Sequence, residues 1–229
     1  MTLAIMQPYL FPYIGYWQLI NAVDTFVIFD DVNFIKKGYI NKNNILVSGN
    51  SKSFTLELLK ASQNKLINEI EVGNNSDKVL NVIKQNYSKS PYFDIVYPLL
   101  ENILMQDEKN SAKFIGYSLQ KLSAFLEIDT KFIYSSDIEK NNELKAQDKI
   151  LDICKKQKAT NYINAIGGKE LYDKEKFLEQ NMNLNFLETK ITEYKQLKNE
   201  FMPYLSIIDI LMFNSKDEIK KMLNKYTLI

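Results

Sequence analysis

The 229-residue chain contains no histidine and a single cysteine, Cys154. Without imidazole there is no Ser-His-Asp triad, Cys-His dyad, HExxH zinc site or histidine general base. One cysteine excludes an intramolecular disulfide framework and suits a reducing compartment. Cys154 stands in "KILDICKK", four residues after Ile150, the place of a small buried hydrophobe rather than of a nucleophile. No run approaches the roughly 18 uninterrupted apolar residues of a membrane span, and the first residues lack a basic segment followed by a long apolar one. The expectation is therefore a cytoplasmic protein with no membrane span. Lys and Arg number 29 against 28 Asp and Glu, a formal net charge of +1; with no basic field, DNA binding is not expected. Chemistry falls to carboxylates, Lys, Tyr, Ser, amides and the backbone.

What is present is ordinary globular composition, 45% hydrophobic and 25% charged, enough for a sizeable core. "LAIM" is a short apolar run, "YIGYWQLINAV" places Tyr13, Tyr16, Ile20 and Val23 at helical spacing, and "TFVIF" is a second buried-strand pattern. Strand, helix, strand is a parallel crossover unit. "NILVSGNSKSFTLELL" predicts a hairpin turning near Ser48-Gly49-Asn50. Helical stretches are expected at about 77–105 and 111–127, then "TKFIYSS" as strand, "AQDKILDICKKQ" as helix, "TNYINAI" as strand, "KELYDKEKFLEQ" as helix and "LNFLET" as strand. The tail "LSIIDILMFNSKDEIKKML" predicts two helices broken near Asn214. Such alternation means an α/β fold with a mainly parallel, Rossmann-like sheet, a β-hairpin and a helical insertion at about 75–128, and no linker divides the single domain expected over 1–229.

Open parallel sheets bind ligands beyond the carboxyl ends of their strands, and polar residues follow each predicted strand here. They are Gln7, Pro8 and Tyr9, then Asp30 and Asp31, then Ser135, Ser136 and Asp137, then Asn164, Gly167 and Gly168. Pro8 and Pro12 force a rigid, irregular connector after the first strand. Tyr16 and Trp17 suit a core. Gly15, in the first turn of the helix, costs about 1 kcal/mol relative to alanine, which points to the close approach of a ligand or another backbone. In "FDDVNFIKKGYINKNN", Asp30 or Asp31 is a candidate general base or sugar-hydroxyl acceptor, Lys36 and Lys37 are candidates for neutralising phosphate, and Asn41 and Asn43 follow. A solvated charged loop explains the same residues equally well. "NAIGGKELYD", with Lys169, is compatible with a phosphate cradle, although a plain turn fits it better. No carboxylate pair has metal-site spacing. Ser206-x-x-Asp209 and Ser215-x-x-Glu218 both match helix capping boxes. Gln7, Tyr9, Gly15, Asp30, Asp31 and Gly167-Gly168 are expected along one cleft at the carboxyl edge.

The opening segment, with "AVDTFVIFDDVNFIKKGYINKNN", "TNYINAIGGKELYDKEKF" and "LSIIDILMFNS", resembles the WbqC-like proteins along nearly the whole chain. Those proteins are associated with bacterial O-antigen and other surface-polysaccharide gene sets, and the resemblance implies a role in making or N-acylating an unusual amino sugar. Many relatives begin His-Gln-Pro where this chain has Met6-Gln7-Pro8, a departure that counts against a His-dependent mechanism here. In layout, strand, P-x-x-G-Y, helix and strand also looks like the H-x-G-H unit of adenylyl- and cytidylyltransferases, with Tyr13 and Tyr16 near the positions of those histidines. This second similarity implies a nucleotidyltransferase-like first βαβ unit and a nucleotide pocket, not the activity.

The expectation is a transferase moving an acyl or aminoacyl group to the amine of a nucleotide-linked sugar, with Asp30 and Asp31 catalytic. Substrate contacts are expected from Gln7, Pro8, Tyr9, Tyr13, Gly15, Tyr16, Lys36, Lys37, Asn41, Asn43, Asn164, Gly167 and Gly168. The partners are the nucleotide-linked sugar and an acyl or aminoacyl donor; no cofactor is named. The alternatives are a nucleotidyl- or glycosyltransferase of the same pathway, or a noncatalytic nucleotide-sugar-binding or assembly protein.

Overall fold

Successive side chains of a strand point to opposite faces, and in the first strand both faces are apolar. In a computed structural model describing residues 1–198 and 200–229, β1 (Thr2–Met6) sends Ala4 into one core and Leu3 and Ile5 into another. A strand buried on both faces belongs in the middle of a layered α/β fold. From β1 the chain crosses through α1 (Ile14–Asn21) to β2 (Thr25–Ile28), which pairs parallel with β1 from Leu3↔Thr25 to Met6↔Ile28.

A hairpin follows, β3 (Lys42–Val47) and β4 (Asn50–Thr55), turning where Ser48 (φ 49°) and Gly49 (φ 78°) adopt the left-handed conformation of a tight two-residue turn. β5 (Leu58–Leu59) and β6 (Glu71–Val72) form a small ladder. Three helices come next, α2 (Ser76–Tyr87), α3 (Phe93–Leu104) and α4 (Ser111–Leu126). The helix expected over 77–105 is therefore two, because Pro91 disfavours helical backbone at the residue before it. Then come β7 (Lys131–Tyr134), α5 (Ala146–Lys156), β8 (Asn161–Ala165), α6 (Lys174–Leu178), β9 (Asn183–Thr189), α7 (Ile207–Phe213), α8 (Lys216–Leu223) and β10 (Tyr226–Leu228).

"KELYDKEKFLEQ" also departs from the expected single helix. Its first part lies in a 3-10 helix, Ile166–Leu171, and α6 starts afresh where the Asp173 side chain accepts from Glu175 N at 3.0 Å. The unexpected β10 pairs antiparallel with β9, Tyr226 opposite Thr189.

The central sheet runs β10-β9-β8-β1-β2-β7, parallel throughout except at β10. This is a Rossmann-like α/β arrangement. The larger core lies where α1, the hairpin, the three inserted helices and the C-terminal helices pack, and the smaller one gathers Ile150, Ile153, Cys154 and Phe177 from α5 and α6. No helix among the described residues is long and apolar enough to cross a membrane.

Chain order reverses beside β1: the path runs outward through β2 and β7, then returns to β8 on the other side. β1 and β8 share only two registered pairs, Thr2↔Asn161 and Leu3↔Tyr162, so their carboxyl halves part. That is the switch point, where open α/β sheets form a crevice.

Candidate functional site

The connector leaving β1, "QPYLFPY", has neither helix nor strand to satisfy its backbone, so other elements must do so. The Tyr16 hydroxyl donates to Gln7 O at 2.7 Å. Asn43 Nδ2 donates to Leu10 O and Phe11 O at 3.2 and 2.8 Å, and the Ser206 hydroxyl donates to Phe11 O at 2.7 Å. Pro12 O accepts from the Trp17 indole and from Ile207 N, both at 3.0 Å. Phe11 sits in the left-handed region at φ 46°, strain for a bulky side chain that only such pinning sustains. The rigidity implied by Pro8 and Pro12 thus comes from α1, the hairpin and the start of α7.

Against this connector lies a cavity of about 270 Å³ lined by Tyr9, Pro12, Tyr13, Tyr39, Asn43 and Tyr204. The Tyr9 and Tyr39 rings stand 6.2 Å apart and the Tyr13 and Tyr204 rings 6.5 Å apart, each pair tilted by 53°. Among the described residues no charged side chain lines it. Tyr39 and Tyr204 are 50% and 66% exposed, large aromatic faces left open to solvent around one hollow. Tyr204, like Phe11, is left-handed, at φ 59°. Tyr9, Tyr13 and Asn43 were legible as candidates; Pro12, Tyr39 and Tyr204 were not. A partial signal is a dipeptide: three of the four Pro-Tyr pairs, Pro8-Tyr9, Pro12-Tyr13 and Pro203-Tyr204, deliver their tyrosine to this cavity, whereas Pro91-Tyr92 does not.

The two aspartates after β2 are held differently. Asp30, 2% exposed, accepts from Ser136 N (2.9 Å), the Ser136 hydroxyl (2.6 Å) and Asn68 Nδ2 (3.1 Å), which ties the end of β2 to the turn after β7. Asp31 Oδ2 pairs with Lys140 at 2.7 Å and Lys149 at 3.6 Å, and its Oδ1 is buried without a hydrogen bond. Burial pushes the Asp31 carboxyl up, but the Lys140 hydrogen bond, the neighbouring Ser135 hydroxyl and the Lys149 charge outweigh it and hold the group below the usual carboxylate range. Lys140 also donates to Ser135 O, and Lys149 sits 5.4 Å over the Phe29 ring.

Other candidates are placed apart from the cavity. Tyr16 is buried between Tyr9 and Phe26, 5.5 and 5.4 Å from their ring centres. The close approach that Gly15 permits is made by side chains, since a Cβ there would collide with Thr189 Oγ1 and the Tyr13 phenol. Asn41 donates to Leu56 O at 2.7 Å. Lys36 and Lys37 are exposed on the segment leading to Tyr39. Asn164 Oδ1 accepts from Ala165 N at 2.8 Å, Gly168 is packed under the Asn164 amide, and Gly167 is open. Gly167 and Gly168 belong to the 3-10 helix, and neither has positive φ.

The Ser206-x-x-Asp209 capping box is not formed. Ser206 does cap α7, accepting from Ile208 N, but fully buried Asp209 accepts instead from the Tyr87 and Tyr194 hydroxyls, both at 2.7 Å, and from Gln196 Nε2 at 2.6 Å. Ser215 and Glu218 do form theirs. Burial drives the Cys154 thiol up to about 12, which suppresses the thiolate.

A family model described as the WbqC-like protein family matches residues 7–221. The chain belongs to that family. This WbqC-like protein is also similar to Uncharacterized protein Rv1507c of Mycobacterium tuberculosis (strain ATCC 25618 / H37Rv), with 26% identity over 213 residues covering 91% of each chain. No solved structure matches it. The matched span contains the pinned connector, both aspartates and all six cavity residues.

Proposed function

We propose that this WbqC-like protein is a transferase acting on a nucleotide-linked amino sugar, moving an acyl or aminoacyl group to the sugar amine during synthesis of bacterial surface polysaccharide such as O-antigen. The carrying observation is the tyrosine-walled, uncharged cavity built on the connector that leaves the carboxyl end of β1. A rigid concave site with aromatic walls suits a ring-bearing small molecule, and the sheet edge beside it is where such folds bind nucleotides.

In the proposed step the amine nitrogen attacks the donor's carbonyl carbon, a C–N bond forms, the bond to the carrier breaks, and the amine proton passes to a base. Holding the two groups together supplies much of the acceleration. Asp30 uses both oxygens on protein donors, whereas Asp31 Oδ1 is buried without one, so Asp31 is the candidate acceptor provided that substrate binding opens a path to that oxygen. The chain has no arginine. Its lysines, Lys36 and Lys37 on the segment before Tyr39 among them, would meet a diphosphate as point charges rather than bidentate forks. The engagement of both carboxylates with protein groups favours a second reading, nucleotide-sugar binding without catalysis.

Calorimetric titration with nucleotide-linked amino sugars tests the proposal. Binding of at least one is expected, and silence across the common nucleotides would sink it. Asp31→Asn should then lower turnover with binding kept, while Lys37→Ala should weaken binding and change stability by less than about 0.5 kcal/mol. Binding without any turnover would select the noncatalytic reading.

A further inference from the structure

We infer that the tyrosine cavity holds the pyranose ring of the substrate and not its nucleobase. The inference rests on the nucleotide-sugar reading above and assigns one moiety to one place. Four tyrosines, Tyr9, Tyr13, Tyr39 and Tyr204, line the cavity, with the phenol end of Tyr13 lying against Gly15 beside Thr189. None of their phenol hydroxyls makes a hydrogen bond to a described residue, although each can both donate and accept. A ring bearing several hydroxyls answers that set. A base edge needs fixed amide-like donors and acceptors, and two in the lining are engaged: Asn43 donates to Leu10 O and Phe11 O and accepts from Asn44 N at 2.8 Å, while Pro12 O is taken by Trp17 and Ile207.

The walls point the same way. A flat base stacks best in a slot between parallel rings, but both tyrosine pairs are tilted by 53°. A chair-shaped ring presents C–H bonds, slightly positive, in several directions, and inclined aromatic faces carry the negative side of their quadrupole toward them. With no charged side chain among the described lining residues, the diphosphate is placed outside, toward the rim.

Trp17, the chain's single tryptophan, reports on the site, because its indole holds the carbonyl of cavity-lining Pro12. The full-length protein is titrated by Trp17 fluorescence and calorimetry with three probes: nucleoside diphosphohexosamines, the matching nucleoside diphosphates, and glucosamine 1-phosphate. Tyr39→Ala and Tyr204→Ala, both at exposed positions, should each weaken the two sugar-bearing probes about tenfold and leave the nucleoside diphosphates within about twofold. Tyr39→Phe and Tyr204→Phe, which keep the ring and lose the hydroxyl, should fall between, with melting temperatures checking the fold. Equal losses for the nucleoside diphosphates, or no loss for the sugar probes, would overturn the inference and leave the nucleotide-sugar function standing. Binding of glucosamine 1-phosphate alone, abolished in the variants, would support the inference and overturn the nucleotide part of the function. Failure of all three probes to bind the wild type would overturn both.

Discussion

Asp209 and Asp31 are both withdrawn from water, yet their surroundings are chemically opposite. Asp209 lies among neutral donors, two phenols and an amide, and burial outweighs those three hydrogen bonds, so its carboxyl stays above the usual carboxylate range. Asp31 lies against two lysines, and their attraction outweighs its burial. The first centre joins α7 to Tyr87 at the end of α2 and to Tyr194 and Gln196 in the segment before Tyr204. The second joins the end of β2 to the turn after β7 and to α5. Hydrogen bonds from neutral groups are thus enough to anchor a buried carboxylate without keeping its proton affinity low, whereas a cation alters its chemistry as well as its position.

The largest expected effect comes from emptying the neutral centre. Asp209→Ala leaves two phenols and an amide without their acceptor, and a destabilisation of about 4 kcal/mol is expected in urea unfolding. A loss under about 1 kcal/mol would show that the three donors find other partners and that the centre is no anchor. Lys140→Met comes next, at about 2 kcal/mol, less than is usual for a broken buried pair because Lys149 remains beside the carboxylate. Lys149→Met should cost less again, about 1 kcal/mol or below, its nitrogen being 3.6 Å from Asp31 Oδ2. A reversed order would make Lys149 the principal counter-ion.

The pH dependence separates the centres by sign. The Asp31 carboxyl titrates below its ordinary value of 3.8, so its stabilisation is complete above that value and is lost as pH falls through the depressed one. The Asp209 carboxyl titrates above 3.8, so its favourable contribution is complete below that value and is lost as pH rises through the elevated one. Unfolding free energies measured across acid pH should lose the first component in Asp31→Asn and the second in Asp209→Asn. Identical pH profiles in the two variants would erase the distinction.

Much of the frame was legible in short stretches. Apolar runs located β1, β2, β8 and β9, Ser48-Gly49 placed the hairpin turn, and the Ser215-Glu218 spacing started α8. Each of these depends on neighbours within a few residues. The cavity was half legible: Pro8 and Pro12 announced a rigid connector, but Tyr39 and Tyr204 join it from segments far along the chain. Gly15 signalled a close approach without revealing that Thr189 and Tyr13 make it.

The sequence by itself determined the strand and helix periodicities, the absence of imidazole chemistry and the stiffness of the first connector, because these follow from local backbone preferences and side-chain inventory. Only the tertiary structure decided which groups those side chains meet. Tyr87 reaches Asp209 across 122 positions and Ser136 reaches Asp30 across 106, and partners so distant are selected by how the layers pack, which no local spacing encodes. The same holds for the proton affinity of each carboxylate: Ser206-x-x-Asp209 reads as a cap, but burial and the phenols of Tyr87 and Tyr194 set what Asp209 does.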